Sequence, residues 1–389
     1  MHGLPVTGHP ETAAEHRPTR PGAGPVPRIV FWELTQGCNL ACQHCRAEAQ
    51  PVRAEDELST EQCLRVIDDI LAAYRPVLIL TGGEPLYRPD LFTIASYAAQ
   101  RGARICLASN GTLIDEKVAR QIREVGVRRV AISLDGATPE VHDTFRRIPG
   151  AWEGALRGAA NVINEGVEVQ FNITVSQHNK HQVPDIIRLA EERGATACHL
   201  FVLVPVGCGV QIANTEMLSP EEVEAVLEWL YDLSERTSIE VRATCGPMYH
   251  RIMRQKGGAG AVARAQAAAR MALGGQGGQG GHGGHPGNSK AGSRGCLAGS
   301  CVCFISHSGT VQPCGYLPVP AGNVLEQSFR EIWEESPLFQ QLRDPNLLGG
   351  KCGECEYRVA CGGCRARAYY QHNHVLAEEP YCIYQPGQR

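Results

Sequence analysis

Three cysteines, Cys38, Cys42 and Cys45, stand three and then two residues apart and are the side chains of this chain best spaced to do chemistry. Thiolates are soft ligands that select iron–sulfur clusters or zinc, and three on one short loop can converge on one centre. Three is one short of a closed site. His44 would complete a tetrahedral zinc site, whereas a [4Fe–4S] cluster held by three cysteines leaves one iron open to a small molecule.

A second group is denser: Cys296, Cys301, Cys303, Cys314, Cys352, Cys355, Cys361, Cys364 and Cys382. The pairs Cys352/Cys355 and Cys361/Cys364 each enclose two residues, a spacing shared by zinc ribbons and iron–sulfur ligands. Cys63, Cys106, Cys198, Cys208 and Cys245 are scattered and read as buried small hydrophobes. Elsewhere, Gly82 and Gly83 let backbone approach a ligand closely, and Glu84, before Pro85, offers a carboxylate to a cationic amine. A Gly-rich turn with a solvated Glu is the plainer alternative. Ser133 and Asp135 present a hydroxyl and a carboxylate suited to ribose hydroxyls, with Asn110 as a further candidate; Asp135-Gly136 also reads as the start of a turn. Arg251 and Arg254 share a helix face and suit a bidentate clamp on carboxylates, or else a solvated charged face.

These residues need a scaffold, and the hydrophobic pattern supplies one. Short β-branched or apolar runs alternate with helical patterns from Ile29 onward, the signature of βαβ units and a parallel sheet. Strands are expected at Ile29–Leu34, Val77–Leu80, Ala103–Ala108, Arg128–Leu134, Glu168–Val175 and Ala197–Val204. Helices are expected near Ser59–Ala73, Pro89–Arg101, Ile114–Val125, Ala151–Glu165 and Val183–Arg193, the first with a capping-box opening at Ser59 and Gln62. Right-handed crossovers roll such units into a partial (β/α)6 barrel of the α/β class, with sites on the loops at the carboxyl ends of strands. The cysteine loop, Gly82-Gly83-Glu84-Pro85, Asn110 and Asp135 then fall on one rim.

Past Pro205 the pattern changes. A helix opens at Ser219-Pro220 and runs to Ser234, with a further strand at Ile239–Arg242. A basic stretch follows, containing Arg242, His250, Arg251, Arg254, Lys256, Arg264 and Arg270, and then a Gly-rich stretch with His282 and His285 that reads as a flexible linker. The expected organisation is a mobile tail at 1–27, a barrel at 28–215, a bridging helical segment at 216–273, the linker at 274–295 and a loop-rich cysteine domain at 296–389.

Composition narrows the function classes. With 389 residues, 43% hydrophobic and 20% charged, the chain has ordinary globular composition and length for two domains. A net charge of -4 lacks the basic excess of a nucleic-acid footprint. No apolar run approaches the ~20 residues of a membrane span, and Met1 to Pro27 lacks the apolar core of a signal peptide, so a cytoplasmic protein is expected. Clustered cysteines in such a protein point to metal rather than disulfides.

Phe31-Trp32-Glu33-Leu34 followed by the three-cysteine loop resembles the start of a radical S-adenosylmethionine (SAM) enzyme. The resemblance implies that Cys38, Cys42 and Cys45 hold a [4Fe–4S] cluster whose open iron binds SAM, with SAM contacts at Gly82, Gly83, Glu84, Pro85, Asn110, Ser133, Asp135 and Val204. Gly309 to Cys314, Gly322-Asn323-Val324, Glu331-Ile332-Trp333 and the spacing Cys352-x2-Cys355-x5-Cys361-x2-Cys364 with a final Cys382 resemble the SPASM extension of that family, which implies two auxiliary [4Fe–4S] clusters. By that resemblance Cys352, Cys355, Cys361 and Cys382 hold one, and Cys296, Cys314 and Cys364 hold the other with Cys301 or Cys303. The strings Leu203-Val204-Pro205-Val206-Gly207, Thr244-Cys245, Cys303-Phe304-Ile305-Ser306-His307 and Gln312-Pro313-Cys314-Gly315-Tyr316 are similar to the haem-forming branch of the family. They imply oxidative decarboxylation of two propionates of iron-coproporphyrin III, an electron donor such as a ferredoxin or flavodoxin, and substrate contacts at Arg251 and Arg254. Enzymes acting on other tetrapyrrole side chains, peptide maturases and non-catalytic iron–sulfur or zinc modules are the competing classes; the short polar stretch before the barrel weighs against peptides.

Overall fold

The computed structural model describes residues 25–257 and 294–387; the expected tail before residue 25, Arg264, Arg270, His282 and His285 lie outside the described residues. Six strands form at the expected places: β1 Ile29–Glu33, β2 Val77–Thr81, β3 Arg104–Ser109, β4 Val127–Ser133, β5 Glu168–Val175 and β6 Ala197–Val202. They pair in parallel in chain order. The sheet continues beyond them on both sides. β7, Glu240–Thr244, pairs in parallel with β6, and β8, Val302–Ile305, pairs in parallel with β1. β9 (Thr310–Gln312) and β10 (Gly322–Asn323) add antiparallel, giving the ten-stranded order β10-β9-β8-β1-β2-β3-β4-β5-β6-β7. The barrel stays open, and the first strand of the cysteine-rich segment is part of its wall.

Alternation along the strands explains why the inside is a cavity. Val30 and Trp32, Ile105 and Leu107, Val130 and Ile132, and Val169, Phe171 and Ile173 are buried against the helices. On β3, β4 and β5 their neighbours face inward and are small or polar, Cys106, Ala108, Arg129, Ala131, Ser133, Gln170, Asn172 and Thr174, joined by His199 on β6, while Phe31, Ile79 and Phe201 add apolar wall. The small and polar side chains do not fill a barrel as bulky branched residues do. They line a cavity of about 2360 Å³.

The helix Thr60–Ala73 has the expected capping box, Ser59 Oγ accepting from Gln62 N–H while Gln62 Oε1 accepts from Ser59 N–H. A second box, Ser219 with Glu222, opens the helix Pro220–Ser234. Several short helices escape the sequence pattern, among them Phe329–Glu335, Pro337–Arg343 and Arg365–His372 in the segment expected to be loop-rich, and, next to the cysteine loop, Pro139–Arg146, with Pro in its first turn. Only eight residues long, Pro139–Arg146 gives too few turns for a clear 3.6-residue period.

Candidate active site

The loop bearing Cys38, Cys42 and Cys45 runs from the end of β1 and is pinned on two sides. Cys38 N–H donates to Gln50 O, while Gln43 N–H donates to Phe145 O and Ala41 N–H to Arg146 O, both in the unanticipated helix Pro139–Arg146. Donors already point at the sulfurs: Leu40 N–H at Cys38 Sγ (3.4 Å), Asn110 Nδ2 at Cys38 Sγ (3.9 Å) and Arg146 Nη1 at Cys42 Sγ (3.6 Å). Burial pushes the Cys38 thiol up to about 12 and raises that of Cys42 as well, so these groups become thiolates where a cation binds them. All three cysteines line the barrel cavity. The donor set fits an iron–sulfur cluster with three protein ligands.

Gly82 and Gly83 lie beside this loop for a reason different from the expected one. A Cβ on Gly83 would sit 2.6 Å from both Gln36 O and Gly37 O, and one on Gly82 would sit 2.8 Å from Thr35 O. Gly83 N–H and Glu84 N–H donate to Thr35 O and Gly37 O, so the two rim loops are laced backbone to backbone. Both glycines also line the cavity. Glu84 does not. It is fully buried and accepts from Ser109 Oγ (2.9 Å), Asn110 N–H (2.7 Å) and Leu86 N–H (3.2 Å), with burial pushing its carboxyl up to about 7. The carboxylate expected to meet an amine instead ties the loops after β2 and β3 together, and Pro85 starts a short 3-10 turn behind it.

Asp135 is corrected in the same sense. Its Oδ2 accepts from Arg146 Nη2 at 2.6 Å and Nε at 3.0 Å, and its Oδ1 accepts from Thr174 N–H at 2.7 Å. Burial opposes ionisation, but Arg146, His44 and His142 hold the carboxyl below its usual range. Its oxygens are committed to the frame, and of the expected ribose contacts Ser133 and Asn110 remain on the cavity wall. Val204 is buried among Cys245, Cys314 and Tyr316 rather than on that wall. His44 stacks on Phe145 at 4.1 Å, and burial lowers its pKa to about 4, leaving a neutral ring on the cavity wall.

The auxiliary cysteines sort into two sets. Cys352, Cys355, Cys361 and Cys382 line one small pocket with Arg251 and Lys351. Tyr357 N–H points at Cys355 Sγ (3.4 Å) and Glu379 N–H at Cys352 Sγ (3.3 Å). In the other set Cys296, Cys314 and Cys364 are joined by Cys245, whose thiol is pushed up by burial and by its neighbours Cys364, Cys314 and Cys296. Cys303 sits in β8, fully buried in the hydrophobic core, and Cys301 lies among Arg28, Arg294 and Arg343. The cysteine grouped with Cys296, Cys314 and Cys364 is therefore Cys245, and neither Cys301 nor Cys303 stands beside it. Cys245 was missed because it is separated from Cys296 by fifty residues; the available signals were its place in the string Thr244-Cys245 and its position just beyond an expected strand. Each set suits a cluster in which every cysteine holds a different iron.

Arg251 and Arg254 do not form a clamp. Arg251 is buried in the small cysteine pocket, paired with Glu224 (2.5 Å) and Gln255 (2.7 Å) and lying over Tyr384, while Arg254 is exposed. Among the arginines that do line the large cavity is Arg46, next to the cysteine loop, which pairs with Glu33 (2.9 Å) and stacks over Phe304 (4.4 Å).

Residues 32–190 match the Radical SAM superfamily and residues 296–364 an iron-sulfur cluster-binding domain, SPASM. The "AdoMet-dependent heme synthase" of Methanosarcina barkeri is 44% identical over 363 residues, spanning 93% of this chain and 98% of that protein. The protein of the same description from Nitratidesulfovibrio vulgaris is 42% identical over 386 residues, 99% of this chain and 98% of its own. Streptococcus suis SuiB, solved bound to S-adenosylmethionine, shares the fold at TM-score 0.69 with 13% identity, over 92% of this chain and 78% of that one. The chain is therefore a radical SAM enzyme carrying a SPASM extension, with SAM and [4Fe–4S] clusters as its cofactors. Within that superfamily it belongs to the family of the AdoMet-dependent heme synthases.

Proposed function

We propose that the enzyme oxidatively decarboxylates two propionate side chains of iron-coproporphyrin III to vinyl groups, giving haem b. The observation that carries the reading is that one cavity of about 2360 Å³ is lined both by Cys38, Cys42 and Cys45 and by Cys245, Cys296, Cys314 and Cys364. That volume exceeds the ~300–1,000 Å³ of an ordinary small-molecule pocket and accommodates SAM together with a macrocycle. When bound, the first cluster and SAM supply the radical that removes a hydrogen atom from an unactivated carbon. Each propionate, R–CH2–CH2–COO⁻, loses one β-hydrogen atom, then carbon dioxide and one electron, to leave R–CH=CH2. The electron needs an acceptor within the same cavity, which is the position of the Cys245 set.

The chain's own residues hold the parts. His44 and Ser133 present a neutral ring and a hydroxyl to SAM, and Asp135 and Arg146 fix the helix on which the cysteine loop rests. Arg46, immobilised by Glu33 and Phe304, offers guanidinium N–H groups to a substrate carboxylate. A low-potential donor such as a ferredoxin or flavodoxin supplies the reducing electron. No described helix is long and apolar enough to cross a membrane. Anaerobic incubation with iron-coproporphyrin III, SAM and a reductant tests the reading by mass analysis: two successive losses, each equal to formic acid, are expected. Deoxyadenosine without any change in the tetrapyrrole overturns it.

A further inference from the structure

Arg46 follows Cys45 directly, and its side chain reaches the residue that follows Cys314. A Cβ on Gly315 would lie 3.3 Å from Arg46 Nε and 3.3 Å from Phe304 Cδ2, so the glycine leaves Nε uncovered. The guanidinium therefore stands in the large cavity at the seam between the first cysteine loop and the loop of the Cys245 set. Two contacts hold it. Nη1 donates to Glu33 Oε2 at 2.9 Å, and the guanidinium carbon lies 4.4 Å from the centre of the Phe304 ring. Among the described residues, Nε and Nη2 have no hydrogen-bond partner. Those two nitrogens form one edge of the guanidinium, the edge that meets both oxygens of a carboxylate.

Glu33 is itself braced from the far side. It is 4% exposed at the end of β1, and its Oε1 accepts from His307 Nδ1–H at 2.7 Å, while His307 Nε2 faces the exposed Asp56 at 3.4 Å. With one oxygen taken by His307, Glu33 engages Arg46 through a single N–H and leaves the other edge to the cavity. The neighbouring acids are committed elsewhere: Glu57 is taken by Arg53 Nε and Thr35 Oγ1, both at 2.6 Å, and Asp135 by Arg146. Phe304 and His307 both belong to the string Cys303-Phe304-Ile305-Ser306-His307, at and just beyond the end of β8.

We propose that the Nε/Nη2 edge of Arg46 is the subsite for the carboxylate of the side chain being converted, with Glu33 and His307 as the positioning residues that hold this edge open. The proposal rests on the decarboxylation reading above. A converted side chain must meet the first cysteine set, where its hydrogen is removed, and the Cys245 set, where its electron goes; Arg46 touches the seam between them. Fixing the carboxylate there fixes where the hydrogen is presented. Loss of carbon dioxide then removes the charge that the edge holds and releases the vinyl group.

Two ligands test this. Iron-coproporphyrin III carries four propionates, whereas haem b carries only those that are not converted. Each is titrated anaerobically into the reconstituted full chain, with the Soret band reporting binding. Conversion of iron-coproporphyrin III by the parent is measured first, so a failure of the decarboxylation reading shows before any variant is compared. Arg46→Gln and His307→Leu are expected to weaken iron-coproporphyrin III about tenfold, the scale of one hydrogen bond to a charged group, and to leave haem b within about twofold. His307→Asn, which keeps a donor for Glu33, recovers most of the affinity. His307 adjoins no cysteine of either set in the sequence, so its variants keep the test open if Arg46→Gln loses iron. Equal weakening of both ligands puts an unconverted carboxylate on Arg46 and overturns the proposal, as does unchanged affinity for iron-coproporphyrin III in His307→Leu at full iron content.

Discussion

Replacing Cys245 separates the ligand set read from the folded chain from the one read along the sequence. Cys245 follows β7 at φ +56°, in the left-handed region. A non-glycine residue there carries about 1–2 kcal/mol of backbone strain. Cys245→Gly removes the thiol and relieves that strain together. The variant is expected to melt within a few degrees of the parent before cluster reconstitution, so any loss of iron cannot be assigned to a damaged fold. With three [4Fe–4S] clusters the reconstituted enzyme holds about twelve irons, and losing one cluster removes about four of them. Deoxyadenosine formation is expected to persist because Cys38, Cys42 and Cys45 are untouched, while the proposed side-chain decarboxylation stops. Iron and sulfide determination with EPR of the reduced protein decides the matter. Full iron in Cys245→Gly, with loss of about four irons in Cys303→Ala or Cys301→Ala, would refute the assignment.

Three further outcomes follow from the packing. Gly83→Ala forces a methyl to 2.6 Å from two carbonyl oxygens of the cysteine loop, at a cost of about 1–3 kcal/mol, and deoxyadenosine formation is expected to fall with the iron of the first cluster. Asp135→Asn leaves Arg146 buried without its counter-charge, costing about 3–5 kcal/mol in denaturant unfolding. Because the folded carboxyl lies below its usual range, the contribution of Asp135 is present above the unfolded pKa, near 4, and lost as pH falls through the folded value. His307 Nδ1–H donates to Glu33 Oε1 at 2.7 Å, and that hydrogen bond with the Glu33 charge raises its pKa above 6.5 despite burial. The stability lost in His307→Gln is therefore greatest below pH 6.5 and fades as pH rises through the raised value; a difference that grows with pH would refute the coupling.

Much of the fold was legible because strand and helix periods are local. Six strands and five helices lie within a few residues of their expected places, and the capping box at Ser59 is present atom for atom. The short helix Pro139–Arg146 was not legible, and with it went the reason Asp135 is buried: its partner Arg146 lies on that helix. Glu84 misled in the same way, since only the fold shows that Ser109 and Asn110 surround its carboxylate. The alternation that marks a strand does not say which face meets helices and which meets a cavity.

What the sequence by itself determined are the groupings closed within a few residues: the loop Cys38 to Cys45, the run Cys352 to Cys364 and the order of the parallel units. Local spacing fixes how such side chains can converge, whatever the rest of the chain does. Only the tertiary structure decided that Cys245 joins Cys296, Cys314 and Cys364. Cys245 follows the strand at one edge of the open sheet, and Cys314 follows β9 near the other edge. Across that seam, a Cβ on Gly295 would lie 2.7 Å from Pro247 O. The curvature of the sheet, a property of all its strands together, brings these edges into contact and makes four distant cysteines neighbours.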